Sequence, residues 1–314
     1  MKKIPIGISS CLLGLKVRFD GGHKHNSYIT GTLAEFFELI PFCPEVDIGL
    51  GTPRPTLHLV GKNGQIRCVG VKNPELDVTD RLQKYAEQLV EKLAPLNGYI
   101  VKKDSPSCGM ERVKVYADGI DRQPSRDGVG IYTKTLMQNN PLLPVEEEGR
   151  LGDPNLRENF IQRVYVYHRW QQLLAEGLSV QKLTTFHARH KLIIMSRGDY
   201  LELGHLAADA NKTNLLENAQ EYILKLMQLL KKVASRNQHV NVLQHIQGYL
   251  KKQLDSDDKA ELSNLIERYR NAEVPLIVPI TLLKHHFRKA PDPYIENSYY
   301  LSPYPEELCL SNQL

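Results

Sequence analysis

Three of the five cysteines in this 314-residue chain, Cys11, Cys43 and Cys108, each follow an apolar run within a few residues. Ile4–Ile8 leads through Ser9-Ser10 to Cys11, and Leu39–Phe42 leads directly to Cys43-Pro44-Glu45. Tyr99–Val101 leads through Lys102-Lys103-Asp104-Ser105-Pro106-Ser107 to Cys108-Gly109. If the runs are strands of one open parallel sheet, the three thiols reach the same rim, at the carboxyl ends where such sheets bind ligands. Thiolates at one rim hold soft metals. Zinc prefers four ligands and would recruit a histidine or water. A cubane iron–sulfur cluster takes four cysteines when it only transfers electrons; with three, one iron stays open as a Lewis acid. The residue pattern leaves this choice of metal open.

The surroundings read as a site. Gly14, Gly21, Gly22, Gly49, Gly51 and Gly109 permit tight loops and close approach, and Pro106 stiffens the segment before Cys108. Cys68 and Cys309 lack such company and read as small buried hydrophobes. An odd cysteine count without a secretion signal argues against a disulfide framework. Met1–Ile6 is basic, with no sustained apolar stretch, and no run of about 18 apolar residues occurs. The expectation is a cytoplasmic protein with no membrane partner.

The elements that must position these thiols alternate over the first half. Strands are expected at Ile4–Ile8, Leu39–Phe42, Gly98–Val101 and Leu142–Val145. Between them come helices over Leu33–Leu39, from a Thr79 cap to Leu93, and over Val129–Gln138. Strands alternating with helices predict an α/β N-terminal domain with a mainly parallel sheet. The polar stretch Glu146–Pro154 reads as a boundary, dividing the chain at 1–150 and 151–314. Beyond it a helix from Asn155 to about Glu176 is followed by apolar stripes at helical spacing: Leu215 to Val233, Val242 to Leu250, and Leu262 to Tyr269. Prolines from Pro275 to Pro305 break the remainder into short pieces, so the second half is expected to be an all-α C-terminal domain with a packed proline-rich tail.

Three blocks now carry a resemblance. They are Ser10-Cys11-Leu12-Leu13-Gly14 with Val17–Gly22, Cys43-Pro44-Glu45 with Gly49–Pro55, and Lys103–Gly109. In that order they resemble the signature blocks of the thiouracil desulfurase family, over roughly residues 1–150. The segments Phe186–Lys191, Asn241–His245 with Gly248–Leu250, Pro275 through His286, and Tyr300–Pro305 resemble a helical domain of unknown function often fused to it. The resemblance implies a 4Fe–4S cluster on Cys11, Cys43 and Cys108 and conversion of a thiocarbonyl to a carbonyl without net redox change. The fusion resembles the branch that removes sulfur from 4-thiouridine in tRNA. One departure, Asp104 where a basic or small residue often stands, leaves that residue's role open.

That chemistry asks for further groups. Glu45, two residues past Cys43, is expected to deprotonate the attacking water. Ser105 or Ser107 is expected to donate to the pyrimidine as charge develops. Arg54, fixed between Pro53 and Pro55, is a candidate contact to a phosphate or the base, with Arg18 and Lys103 behind it. Net charge is +4, and residues 181–300 hold 17 Lys/Arg against 13 Asp/Glu. There, Arg189 and Lys191, beside His187 and His190, and Lys284, Arg288 and Lys289, beside His285 and His286, are candidate RNA contacts. The other readings are an enzyme for free thiouracil or thiouridine mononucleotide, and an RNA-binding protein with a structural zinc.

Overall fold

The computed structural model describes residues 3–62, 64–117, 123–198, 200–308 and 310. The chain divides into two compact units, Met1–Asp153 and Pro154–Leu314. Among the described residues no helix is long and apolar enough to cross a membrane.

The first unit is α/β. Its strands are β1 (Ile4–Ser9), β2 (Phe37–Phe42), β3 (Leu57–Lys62), β4 (Gln65–Gly70), β5 (Tyr99–Val101), β6 (Val113–Ala117), β7 (Ser125–Gly128) and β8 (Val145–Glu147). Its helices are α1 (Ala34–Phe36), α2 (Pro44–Asp47), α3 (Thr79–Gln88), α4 (Val90–Leu93) and α5 (Ile131–Asn139). One sheet runs β2-β1-β5-β8 and is parallel throughout. The register pairs Ile4 with Phe37 and Ser9 with Phe42, and sets Gly7 beside Tyr99. A Cβ on Gly7 would meet the Tyr99 ring at 2.4 Å, so only glycine lets the tyrosine lie across the central strand.

Sequence patterning missed a second sheet, β4-β3-β6-β7, with antiparallel pairs at both edges around a parallel centre. Its strands are short and rich in charge or glycine, so they carry little periodicity. Other boundaries move as well. The expected helix over 33–39 ends at Phe36, because Phe37–Phe42 is claimed by pairing with β1 and the Phe37 side chain is buried. Val145–Glu147, rather than Leu142–Val145, forms the edge strand, since Pro144 has no N–H for a ladder. The Thr79 hydroxyl does not cap α3; it accepts the Cys68 N–H at 2.8 Å.

The second unit is helical: α6 (Pro154–Ala175), α7 (Val180–Met195), α8 (Leu201–Ala208), α9 (Leu215–Leu229), α10 (Arg236–Tyr249), α11 (Ser256–Arg270), α12 (Ile277–Lys289) and α13 (Pro293–Asn297). Ser179 caps α7, a reciprocal Ser235–Gln238 box caps α10, and Asp255 caps α11. Phe160, Trp170, Tyr222, Leu243, Ile266 and Leu283 lie in its core. The prolines do not fragment the tail as expected. Pro279 falls in the first turn of α12, where its missing N–H costs nothing, and the helix continues to Lys289.

Candidate functional site

Neighbouring strands of the parallel sheet deliver the three thiols. Cys11 lies in the 3-10 turn Ser10–Leu13 directly after β1, which ends at Gly14 with φ +89°. Its carbonyl accepts the Lys24 N–H at 2.9 Å, pinning the following loop. Cys43 ends β2 and precedes α2, with Pro44 in that helix's first turn. Cys108 closes the loop leaving β5. Ser105 Oγ accepts the N–H groups of Ser107 and Cys108 at 3.3 and 3.1 Å, and Gly109 N–H returns to the Ser105 carbonyl at 2.8 Å. Thr133 Oγ1, from α5, donates to the Cys108 carbonyl at 2.7 Å. A Cβ on Gly130 would sit 2.6 Å from the Ser107 backbone, so α5 seats against this loop only through a glycine.

The thiols line one cavity of about 350 Å³. Cys11, Cys43, Cys108, Glu45, Ser105, Arg18, Arg54 and Lys103 are all in its wall, joined by Phe19, Lys24 and Lys102. Ser107 is not. It is fully buried, with its hydroxyl against the Cys68 thiol. Cys68 is itself sealed in the core on β4, and Cys309 lies outside the described residues.

Burial dominates the thiol electrostatics. It pushes Cys11 up to about 11, against the lowering pull of Lys102, and raises Cys43. Cys108, fully enclosed, is raised well above the ordinary thiol range by burial, then by Glu45, Cys43 and Cys11. Each thiolate thus opposes the ionisation of its neighbours, and a cationic metal centre is what ionises such a set together. Among the described residues no three His, Cys, Asp or Glu side chains stand close enough to hold a single ion. The three thiols share the wall of one cavity roomy enough for a multinuclear group. An all-soft donor set fits iron–sulfur chemistry.

Glu45 and Arg54 form a nearly enclosed pair, Nε to Oε2 at 2.6 Å. Arg54 Nη1 also donates to the carbonyls of Val17 and Gly51, at 2.8 and 3.0 Å. These bonds use Nε and Nη1 to orient Glu45 and to tie the Val17 and Gly51 loops together, while Arg54 stays in the cavity wall. Arg18 keeps a looser 3.7 Å approach to Asp20, and its guanidinium lies 5.2 Å from the Phe19 ring centre. Asp104 is exposed with φ +58°, at 3.9 Å from Lys103 and 4.0 Å from Arg126.

The stretch read as a polar boundary proves to be part of the site's frame. Glu147 is buried, and its Oε1 accepts the Met110 and Glu111 N–H groups at 2.7 and 3.3 Å; burial raises its carboxyl. Glu148 takes the Lys102 ammonium at 2.5 Å and the Lys103 N–H at 2.7 Å. Glu147, Glu148, Lys102, Ser9 and Phe19 escaped the sequence reading. The signal available was an acidic triplet running straight on from Val145, where a strand would place its side chains inside.

In the helical unit the candidate RNA contacts separate. Arg189 is committed to packing: its guanidinium lies 4.4 Å from the Tyr299 ring centre and Nε donates to the Asn297 carbonyl. Lys284 pairs with Glu306. Lys191 is half-buried, whereas Arg288 and Lys289 are exposed at the end of α12. The histidines are framework: His190 Nδ1 meets the Phe186 carbonyl at 2.7 Å, and His187 Nδ1 the Tyr222 hydroxyl at 3.2 Å.

Comparison with known proteins matches residues 6–148 to the family model for 2-thiouracil desulfurase and residues 191–305 to DUF1722, a family of unknown function. The uncharacterized protein YbgA of Escherichia coli K12 is 32% identical over 151 residues, covering 47% of this chain and 89% of that protein. The uncharacterized protein YbbK of Bacillus subtilis 168 is 31% identical over 108 residues, covering 32% and 71%. A solved structure of the [4Fe-4S]-dependent thiouracil desulfidase TudS shares 32% identity and a TM-score of 0.39, over 48% of this chain and 95% of that one.

Proposed function

Because this chain belongs to the 2-thiouracil desulfurase family through its first unit, with a DUF1722 domain behind it, we propose that it hydrolyses the thiocarbonyl of a thiolated uracil to a carbonyl, releasing sulfide. The observation that carries this reading is the meeting of Cys11, Cys43 and Cys108 with Glu45 and Ser105 on one cavity wall. The three cysteines would hold a 4Fe–4S cluster, which supplies an iron without a protein ligand as a Lewis acid for soft sulfur.

The chain's own residues supply the rest. Water's oxygen replaces sulfur at the ring carbon, so one group must take the water proton. Glu45 does this: Oε2 is fixed by Arg54, which leaves Oε1 for the cavity. Ser105 already accepts two N–H groups, using its lone pairs, so its own proton is directed outward to the pyrimidine as charge develops. Ser107, away from the wall, serves the loop. Phe19 offers an exposed ring at the rim for the base to stack on.

The wall favours a substrate that carries phosphate. Beyond the paired Arg54–Glu45 and Lys102–Glu148, Arg18, Lys24 and Lys103 line it, cations that a neutral free base does not need. A 4-thiouridine within tRNA is the substrate we assign, with Arg288 and Lys289 of the second unit contacting the RNA backbone and the protein acting in the cytoplasm. Sulfide release from thiolated tRNA, thiouridine monophosphate and free thiouracil tests this. The expected order of kcat/KM follows that sequence; equal values for free thiouracil and tRNA would remove the tRNA assignment.

A further inference from the structure

Lys102 is the first residue beyond β5, and its mostly buried side chain lines the thiol cavity, with 15% left exposed. It is held from several directions. Nζ lies 2.5 Å from Glu148 Oε1 and 3.1 Å from the Lys103 carbonyl, while its N–H donates to Ser9 Oγ at 3.0 Å. Glu148 in turn clasps the Lys103 N–H through Oε2 at 2.7 Å, and its own N–H donates to the Val101 carbonyl at 3.2 Å. The side chain is thus held in the cavity wall that also carries Cys11: Glu148, just beyond β8, fixes the ammonium, and Ser9, at the end of β1, fixes the Lys102 backbone. Of the other cations in the wall, Arg54 pairs with Glu45, Arg18 leans toward Asp20 and over Phe19, and Lys103 is half exposed beside Asp104.

We propose that Lys102, locked by Glu148, is a positioning residue that holds positive charge against the thiolate-bound cluster and so fixes its potential and its retention. This rests on the reading of the cysteines as cluster ligands. Three thiolates outweigh the charge of a cubane core, leaving net negative charge in an enclosed cavity, which is costly unless a cation faces it. Lys102 and the three cysteines share one cavity wall, so its ammonium faces the same enclosed space as the cluster would. Net charge and hydrogen bonding around the sulfurs set the potentials of such clusters, and groups contacting the ligands govern metal affinity.

The test compares wild type, Lys102→Gln, Lys102→Arg and Glu148→Gln, all full-length and reconstituted anaerobically. Iron and sulfide content, the rate of iron loss to a chelator, the midpoint potential from an EPR-monitored titration, and thermal stability are read together. Lys102→Gln is expected to lower the midpoint potential and to lose iron about tenfold faster, with Lys102→Arg restoring both. Glu148→Gln, which keeps the ammonium but loosens it and removes a negative charge, is expected to lose iron at a rate between those two without lowering the midpoint potential. A Lys102→Gln protein with wild-type potential and iron-loss rate would overturn the proposal. So would a variant whose only change is a lowered thermal midpoint that arginine does not rescue. A wild-type protein that takes up no iron–sulfur cluster at all would instead refute the cofactor reading on which the proposal stands.

Discussion

Glu45 and Arg54 illustrate how a residue's neighbours, rather than its type, decide its work. Arg54 gives Nε to Glu45 and Nη1 to two carbonyls, so Arg54→Met strips a nearly enclosed carboxylate of its partner. A loss of about 3 kcal/mol in unfolding free energy is expected, measured by denaturant titration. Glu45→Gln removes the proton acceptor but not the thiols. Turnover should fall by roughly 10²–10⁴-fold while the cluster's visible absorbance persists; a fully active Glu45→Gln enzyme would remove Glu45 from the base role. Ser105→Ala should slow turnover more than Ser107→Ala, because Ser105 is in the wall and Ser107 lies behind it against Cys68. Sequence spacing could find the cysteines, Glu45 and the serine pair, since each sits within a few residues of a strand's end. It could not separate Ser105 from Ser107, which depends on side-chain direction. Nor could it find Lys102 and Glu148, 46 residues apart and joined only by the adjacency of β5 and β8.

At the scale of elements, the parallel sheet was legible because Ile4–Ile8, Leu39–Phe42 and Tyr99–Val101 are short apolar runs separated by helical patterns. The mixed sheet was not, because β4 and β7 alternate weakly and gain their order from pairing partners rather than from local pattern. In the second unit α6 and the stripes of α9, α10 and α11 were legible; α7 and α8 were not, and α12 was hidden by Pro279, which only the observed helix start makes harmless. These helices also bury titratable groups. Burial, with Arg169 nearby, depresses His190 to about 3, and burial with Arg197 and Arg236 nearby depresses His239 to about 3. In the unfolded chain both titrate near their ordinary range, so below about pH 6.5 the unfolded state binds protons that the folded state refuses. Stability from these sites is therefore complete above that pH and lost as pH falls toward 3, at a slope of order 1 kcal/mol per pH unit for each buried histidine. Fluorescence of Trp170, packed 5.2 Å from the Phe186 ring beside His190, should report this in acid, and His190→Phe should flatten the slope if the variant folds.

For the molecule as a whole, the second unit's part in RNA docking is an electrostatic expectation with a distinct signature. Arg288 and Lys289 are exposed on α12, so replacing either with alanine should lower tRNA affinity and reduce the salt slope by about 1. Arg189→Ala should leave that slope unchanged and cost stability instead, because its guanidinium is stacked on Tyr299. Salt-independent binding would place RNA recognition on other contacts. The expectations for turnover depend on the cavity that Cys11, Cys43 and Cys108 line holding iron and sulfide. Iron, sulfide and zinc analysis of the full-length protein, purified anaerobically beside a Cys108→Ser variant and a Cys68→Ala variant, tests that directly. About four iron and four sulfide per chain are expected in wild type and Cys68→Ala, with both largely lost in Cys108→Ser. A colourless wild-type protein that carries stoichiometric zinc and still releases sulfide from thiolated uracil would contradict the iron–sulfur reading.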